Sequence, residues 1–182
     1  MQITNIENLK IYEDFVDRDD LQGYKNLINR LEPIAVKNGE AVNWTPEHLR
    51  LYNPTDPEAF AIAIKYAERI LQHYEEDLVI HIVGFLKYYE GASLPVHTDI
   101  IDGGTCQECK IGAVIYFNDD YTGGEFIMPG ITEKWIKLLE GGAVSYPADN
   151  TKYNHGVRTV TSGERYALCY CFTTNKDKYP YA

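Results

Sequence analysis

The sequence contains little cysteine, no long apolar run and no cluster of basic residues. Its 182 residues include four cysteines, Cys106, Cys109, Cys169 and Cys171. They are too few and too unevenly spaced for the disulfide framework of a small secreted protein. No stretch approaches the roughly eighteen consecutive apolar residues of a transmembrane helix, and the N-terminus lacks the regions of a signal peptide. The sequence therefore predicts a cytoplasmic protein with no membrane partner.

Positive charge is also scarce. Seventeen basic and 27 acidic residues give a net charge of −10. A nucleic-acid partner requires a dense basic surface that displaces the counterions of the phosphate backbone, so we expect none here. Hydrophobic residues make up 45% of the chain, which is typical of a globular protein. At roughly 150 residues per domain, the length predicts one domain spanning residues 1–182.

The periodicity of the apolar residues changes along the chain. Within residues 1–76, helical spacing predicts a helix that starts near Asp17 and ends near Pro33, and a second over about 57–76. From about 77 to 176, short runs rich in Val, Ile, Tyr and Phe alternate with Gly, Asp, Asn and Pro, which predicts strands. These runs are 78–89, 111–117, 124–128, 135–139, 143–146 and 165–173. The pattern indicates an α+β domain, mainly β, with helices packed on an antiparallel sandwich.

Three residues have side chains of the types that bind metals. His97-Thr98-Asp99 leaves a predicted strand, and alternate residues of extended backbone point to the same side, so imidazole and carboxylate can share a cation. His155 follows 56 residues later, in a predicted loop. Two imidazoles and one carboxylate form the facial triad of non-haem Fe(II) oxygenases, which leaves three metal positions open. The other histidines are interpreted as packed or solvated side chains: His48, His73 and His81.

An arginine follows the second histidine by ten residues. Arg165 follows His155 by ten residues, across the turn at Thr161-Ser162-Gly163-Glu164. A guanidinium binds a carboxylate through two parallel hydrogen bonds, so Arg165 is a candidate for binding an acidic cosubstrate. The alternative is a cation on the surface of a strand.

Together, these residues resemble the 2-oxoglutarate- and Fe(II)-dependent dioxygenases, specifically the prolyl 4-hydroxylase-like branch. The resemblance covers residues 80–173, and further motifs follow in the same order as in that family. They are Tyr88-Tyr89-Glu90-Gly91, Tyr116-Phe117-Asn118-Asp119, Gly123-Gly124-Glu125-Phe126, Gly141-Gly142-Ala143-Val144, and the segment from His155-Gly156 to Arg165-Tyr166. Several ordered motifs are far more specific than any one of them.

The resemblance implies a fold and a chemistry. The fold is a double-stranded β-helix, or jelly roll, with N-terminal helices packed on one sheet. Fe(II) would be held by His97, Asp99 and His155, and the distal carboxylate of the cosubstrate 2-oxoglutarate by Arg165. Tyr88 would add a hydroxyl donor to that carboxylate, the alternative being one more core tyrosine. O2 is the second cosubstrate, succinate and CO2 are co-products, and ascorbate is an additional cofactor in this branch.

Departures from the family pattern affect the expected substrate. Prolyl hydroxylases usually have Lys where Arg165 stands, and Leu94, Phe126 and Cys171 replace a Tyr, a Thr and a Trp. The resemblance favours a peptide or protein substrate, most simply a proline residue, with a free amino acid or other small molecule as the alternative. A jelly-roll binding module without catalytic activity is the non-enzyme alternative.

Charges and a loop near the site bear on the same choice. Lys87, Lys110 and Arg158 are expected to face water, which favours a peptide over a free amino acid with two charged ends. The loop 100–110 is a candidate lid over the substrate. Its Cys106-Gln107-Glu108-Cys109 segment allows free thiols, a local disulfide or a metal clip.

Overall fold

A computed structural model describes residues 1–38, 41–42, 48–52, 55–100, 107–132 and 136–181. Within them lie the helices α1 (Arg18–Asn38) and α2 (Pro57–Leu71) and two short 3-10 helices, Thr151–Tyr153 and Lys176–Lys178. The strands are β1 (Gln2–Ile6), β2 (Leu9–Glu13), β3 (Ala41–Val42), β4 (His48–Tyr52), β5 (Val79–Tyr88), β6 (Leu94–His97), β7 (Ile111–Tyr116), β8 (Thr122–Gly123), β9 (Phe126–Ile127), β10 (Ala143–Pro147), β11 (His155–Val157), β12 (Val160–Ser162) and β13 (Arg165–Thr173). None of the described helices has the length and apolarity needed to cross a membrane.

Both helices occur near their predicted positions, but their ends differ from the prediction. The Asp56 side chain caps α2 by accepting hydrogen bonds from the next two available backbone N–H groups, and Pro57 occupies the first turn. The helix ends at Leu71, not 76, and the chain turns there; beyond the turn the Tyr74 hydroxyl lies 2.6 Å from that of Ser145 on β10. Helix α1 continues through Pro33 to Asn38. The buried Ala35 beyond the proline keeps the last turns packed on the core.

The strands form an antiparallel jelly roll with two layers. The large sheet has the order β1-β2-β10-β7-β13-β5-β4-β3 and is antiparallel throughout. A three-stranded sheet, β6-β11-β9, and a two-stranded sheet, β12-β8, make up the rest of the described strands. The mainly β fold class is therefore confirmed. The helical prediction for residues 1–76 omitted β1 to β4, which form the two edges of the large sheet.

Alternation along the strands divides the interior into two clusters. In β13, Tyr166, Leu168 and Tyr170 point to the side on which α1 and α2 pack. The alternate residues, including Ala167, point to the side that faces the smaller sheets. Because side chains on a strand alternate between faces, one strand contributes to both layers. The candidate site residues lie in the second layer, between the sheets.

Candidate active site

The structure brings the three predicted metal ligands together. His97 and His155 are cross-strand partners in the β6–β11 pairing, and Asp99 follows β6 by two residues. His155 thus lies in a strand and not in the loop predicted from the sequence. Asp99 Oδ1 is 3.8 Å from Nε2 of each histidine, and all three ligand atoms lie within 4.8 Å of one another. This spacing allows the three side chains to bind one ion.

Backbone carbonyls fix the orientation of both imidazoles. His97 Nδ1 lies 3.0 Å from the carbonyl oxygen of Pro95, and His155 Nδ1 lies 3.2 Å from that of Tyr153. A carbonyl only accepts, so each Nδ1 carries the proton and each Nε2 presents its lone pair. Burial lowers the pKa of His155 to about 4, against the opposing effect of Asp99. At neutral pH this imidazole is uncharged, which is the form that binds a metal.

Tyr146 completes this cluster, and sequence analysis did not single it out. Its hydroxyl lies 2.9 Å from His155 Nε2 and 3.3 Å from Asp99 Oδ2. Because this Nε2 has a single lone pair, a metal bound there would replace the contact with Tyr146. Burial, with the Asp99 charge second, raises the pKa of Tyr146 well above its usual value, so the hydroxyl remains a donor. A Cβ at Gly112 would lie 2.5 Å from the Tyr146 ring, so the glycine makes room for it. The only sequence signal was the position of Tyr146 in a predicted strand.

The triad lines a cavity of about 470 Å³ that also contains Arg165. Arg165 is fully buried, and its guanidinium carbon lies 4.7 Å from the Tyr88 ring centre and 4.5 Å from that of Tyr116. Among the described residues, Nε and both Nη atoms of Arg165 have no hydrogen-bond partner.

These orphaned donors fit an anionic ligand. A buried guanidinium without hydrogen bonds is unfavourable, and a carboxylate entering the cavity would satisfy its nitrogens in a bidentate manner. Tyr88 lies opposite Arg165 in the β5–β13 register and is itself buried. Its ring face, not its hydroxyl, contacts the guanidinium, so donation to a ligand from Tyr88 stays a prediction. The donor set of the cavity therefore fits both a divalent metal and a dicarboxylate.

Residues outside the predicted set also line the cavity. They include Arg50 and Tyr52 from β4, His81 from β5, and Lys178 near the C-terminus. Their sequence neighbourhoods carry no metal-ligand or family motif, so only the tertiary fold reveals them. For His81, the sequence alone predicts a packed or solvated side chain and gives no indication that it lines a cavity.

Two of the three other cations are exposed as expected. Lys110 pairs with Asp149 at 3.1 Å, and Arg158 is also exposed. The prediction was wrong for Lys87, which is buried. Lys87 lies on the helix-facing side of β5. Its Nζ is 3.4 Å from a carboxylate oxygen of Glu32 and donates a hydrogen bond to Asn29 Oδ1 at 3.0 Å.

The structure describes only part of the loop 100–110, namely residue 100 and residues 107–110. Residues 101–106, including Cys106, lie outside the described residues, so the lid stays a prediction. Cys109, however, forms a disulfide with Cys171, with Cα atoms 5.4 Å apart. The expectation of a free thiol or a local partner is therefore wrong for Cys109. Lys110 N donates to Phe172 O at 2.7 Å, which brings the two segments side by side.

Three solved structures share this architecture. The viral collagen prolyl hydroxylase of Paramecium bursaria Chlorella virus-1, in complex with 2-oxoglutarate, is 18% identical with a TM-score of 0.68, covering 93% of this chain and 97% of its own. A prolyl hydroxylase from Trichoplax adhaerens, in complex with a hypoxia-inducible factor peptide fragment, is 13% identical with a TM-score of 0.70 (94% and 86% covered). HygX from Streptomyces hygroscopicus, with nickel, 2-oxoglutarate and hygromycin B bound, is 14% identical with a TM-score of 0.67 (93% and 84% covered). At these identities the likeness supports the fold.

The family itself is shown by the sequence. The chain matches no curated protein sequence. A sequence profile of the 2OG-Fe(II) oxygenase superfamily, however, matches residues 83–173, half of the chain, and this segment contains every predicted site residue. The protein is therefore a 2-oxoglutarate-dependent dioxygenase that uses Fe(II). With its jelly roll, its triad and the buried Arg165, the chain belongs to the 2OG-Fe(II) oxygenase superfamily.

Proposed function

We propose that this protein hydroxylates a C–H bond of a proline residue in a peptide or protein. His97, Asp99 and His155 hold Fe(II), and Arg165 binds the distal carboxylate of 2-oxoglutarate. The observation that carries this assignment is the presence, in one cavity, of three convergent ligand atoms and a buried guanidinium with orphaned donors. A jelly-roll binding module without activity would not need both features.

The side chains of this protein supply binding and orientation. Bound Fe(II), with 2-oxoglutarate and O2, supplies the oxidant that converts C–H to C–OH as succinate and CO2 are released. The carbonyls of Pro95 and Tyr153 hold both Nε2 lone pairs toward one point. Arg165 fixes the cosubstrate through a bidentate contact, because a guanidinium matches the geometry of a carboxylate. The apolar walls, including Leu86 and Val114, exclude water from the reacting carbon.

Two observations support a proline in a peptide. The viral and Trichoplax proteins of the same fold are prolyl hydroxylases. The cavity also contains flat aromatic faces, Phe126 and Tyr146, against which a pyrrolidine ring can pack. HygX, which holds hygromycin B, shows that the same fold also accommodates a small molecule, so a free amino acid or other small molecule is the alternative.

The test is the formation of succinate from 2-oxoglutarate with Fe(II) and O2, with and without proline-containing peptides. Peptides with Ala in place of Pro serve as controls, and mass spectrometry locates the added oxygen. We expect proline peptides to stimulate succinate formation and to gain one oxygen atom. Turnover with a free amino acid alone would reject the peptide assignment, and the absence of any Fe(II)-dependent succinate would reject the site assignment.

A further inference from the structure

The Tyr146 hydroxyl lies between two groups of the candidate metal site that can only accept a hydrogen bond from it. It is 2.9 Å from Nε2 of His155 and 3.3 Å from Oδ2 of Asp99. The Nδ1 proton of His155 is directed at the carbonyl oxygen of Tyr153, so Nε2 is an acceptor. An ionised carboxylate is likewise only an acceptor. One phenol proton therefore has two competing acceptors, of which His155 is the nearer.

The surrounding packing holds the hydroxyl at this position. Tyr146 lies on β10 and is buried. A Cβ at Gly112 would lie 2.5 Å from the Tyr146 ring, so the ring rests directly on the backbone of the neighbouring strand β7. The ring centres of Phe126 and His155 are 5.8 Å and 4.6 Å away. A ring enclosed in this way has few alternative rotamers, so its hydroxyl stays within reach of one acceptor when the other is lost.

The two carboxylate oxygens of Asp99 face different partners. Oδ1 is 3.8 Å from Nε2 of both His97 and His155, whereas Oδ2 is the oxygen next to Tyr146. An ion between the two imidazoles is therefore reached by Oδ1 alone, as long as Oδ2 stays at Tyr146. A carboxylate that binds through one oxygen leaves three positions of the metal open, and one that binds through both oxygens would occupy a further position.

We propose that Tyr146 is a positioning residue whose hydroxyl donates to His155 in the metal-free protein and to Oδ2 of Asp99 once Fe(II) is bound, an inference that rests on the proposed function. The metal takes the lone pair of Nε2, so the Tyr146 proton is left with Oδ2 as its acceptor. A hydrogen bond to a charged carboxylate is about twice as strong as the bond to a neutral imidazole that it replaces. The exchange therefore favours metal binding and keeps Asp99 a ligand through Oδ1.

The first test removes the hydroxyl and measures the affinity for Fe(II) by calorimetry under nitrogen, without 2-oxoglutarate. Tyr146→Phe keeps the ring against Gly112. Tyr66→Phe is the matched control, because Tyr66 is also buried and its hydroxyl also donates to a carboxylate, that of Asp20, on the helix side of the large sheet. We expect Tyr146→Phe to weaken Fe(II) binding about tenfold, the lower end of the usual loss for an outer partner of a metal ligand, since the hydroxyl also stabilises the metal-free protein. Tyr66→Phe should leave the affinity unchanged.

Three results would overturn the inference. An unchanged affinity in Tyr146→Phe shows that the hydroxyl has no role at the metal, and a tighter affinity shows that it competes with the ion for His155. Equal weakening in Tyr66→Phe shows that the loss of any buried tyrosine hydroxyl has this effect. The unmodified protein tests the proposed function separately: a lack of Fe(II)-dependent succinate formation rejects that function, and a lack of Fe(II) binding rejects the role of Tyr146 as well.

A second variant decides the question even where thermal unfolding shows that Tyr146→Phe does not fold. Site-specific incorporation of 3-fluorotyrosine at position 146 preserves the ring and the hydroxyl, and the fluorine makes the phenol a stronger hydrogen-bond donor. A stronger donor gains more from the charged carboxylate of Asp99 than from the neutral imidazole of His155, so the affinity for Fe(II) should rise. A purely structural role of Tyr146 predicts no change. An unchanged or lower affinity therefore overturns the inference.

Discussion

Replacing Arg165 by Met should change stability and cosubstrate binding in opposite directions. Met preserves most of the aliphatic packing of the side chain but removes the buried charge and its three nitrogens, which have no hydrogen-bond partner among the described residues. If Arg165 exists to bind 2-oxoglutarate, the protein without ligand carries an unfavourable buried charge. If Arg165 only supports the fold, its removal should destabilise the protein whether ligand is present or not.

The magnitude follows from the contacts of Arg165. Leaving a buried polar group without a hydrogen bond costs about 1–3 kcal/mol, and more when the group is charged. The contacts with the Tyr88 and Tyr116 rings return about 1–2 kcal/mol each. With three such nitrogens, the penalty at the middle of its range exceeds the contribution of the two ring contacts by about 3 kcal/mol, so we expect Arg165→Met to raise the free energy of unfolding of the ligand-free protein by about that amount. Binding should weaken by about 3–5 kcal/mol, since the partner carboxylate is left unpaired.

Urea denaturation with and without 2-oxoglutarate measures both effects, using Fe(II) under nitrogen in the liganded arm. At a concentration 100 times its Kd, 2-oxoglutarate should stabilise the unmodified protein by about 2.7 kcal/mol. In Arg165→Met the same concentration should contribute less than about 0.5 kcal/mol. Arg158→Met, which removes an exposed arginine, should leave the ligand effect intact. Loss of ligand-free stability in Arg165→Met, with the ligand effect preserved, would refute the reasoning.

Three further predictions concern the metal, the packing and the pH dependence. Asp99→Ala should abolish Fe(II)-dependent succinate formation and Fe(II) binding by calorimetry, while the metal-free protein unfolds within about 1 kcal/mol of the original because Asp99 is only half-buried. Gly112→Ala should cost about 1–3 kcal/mol in urea denaturation because its Cβ overlaps the Tyr146 ring, and less in a Tyr146→Ala background. The Arg69 guanidinium holds the pKa of Asp17 well below its usual range, so this ion pair stabilises the fold above about pH 4 and is lost as the pH falls further. Asp17→Asn should therefore cost less than about 1 kcal/mol at pH 7, since the pair is half exposed, and this cost should shrink steadily as the pH falls below about 4.

The strands of the large sheet could be predicted where their own sequence carried a strong pattern. The apolar runs 78–89, 111–117 and 165–173 correspond to β5, β7 and β13, which are central in the sheet and buried on both faces. Edge and short strands lack that signal. Gln2–Ile6 is polar and exposed along most of its length and forms a strand only because β2 pairs with it. Such strands depend on tertiary pairing, which no local periodicity records.

The candidate site divides in the same way. The convergence of His97, Asp99, His155 and Arg165 on one cavity could be predicted because the proposed chemistry demands particular residue types at a particular spacing. Tyr146, Arg50 and the Cys109–Cys171 pair were not, since each depends on which strands become neighbours in the sheet. Pro33 shows the reverse error, in which a strong local signal for a helix end is overridden by packing on the sheet.

The two layers of the jelly roll contribute different chemistry to one cavity. The small sheet supplies His97 and His155, whereas the large sheet supplies both arginines, from β13 and β4. Tyr146, on the large sheet, reaches across to His155 and Asp99, so its hydroxyl links the layer that carries the candidate metal ligands to the layer that carries the arginines. Gly112 permits that approach by leaving space beneath the ring. The distance between the candidate metal ligands and the arginines therefore depends on the packing between the two sheets. We expect a substitution that alters this packing to change the affinity for cosubstrate and for substrate together, even where the substituted residue contacts neither of them.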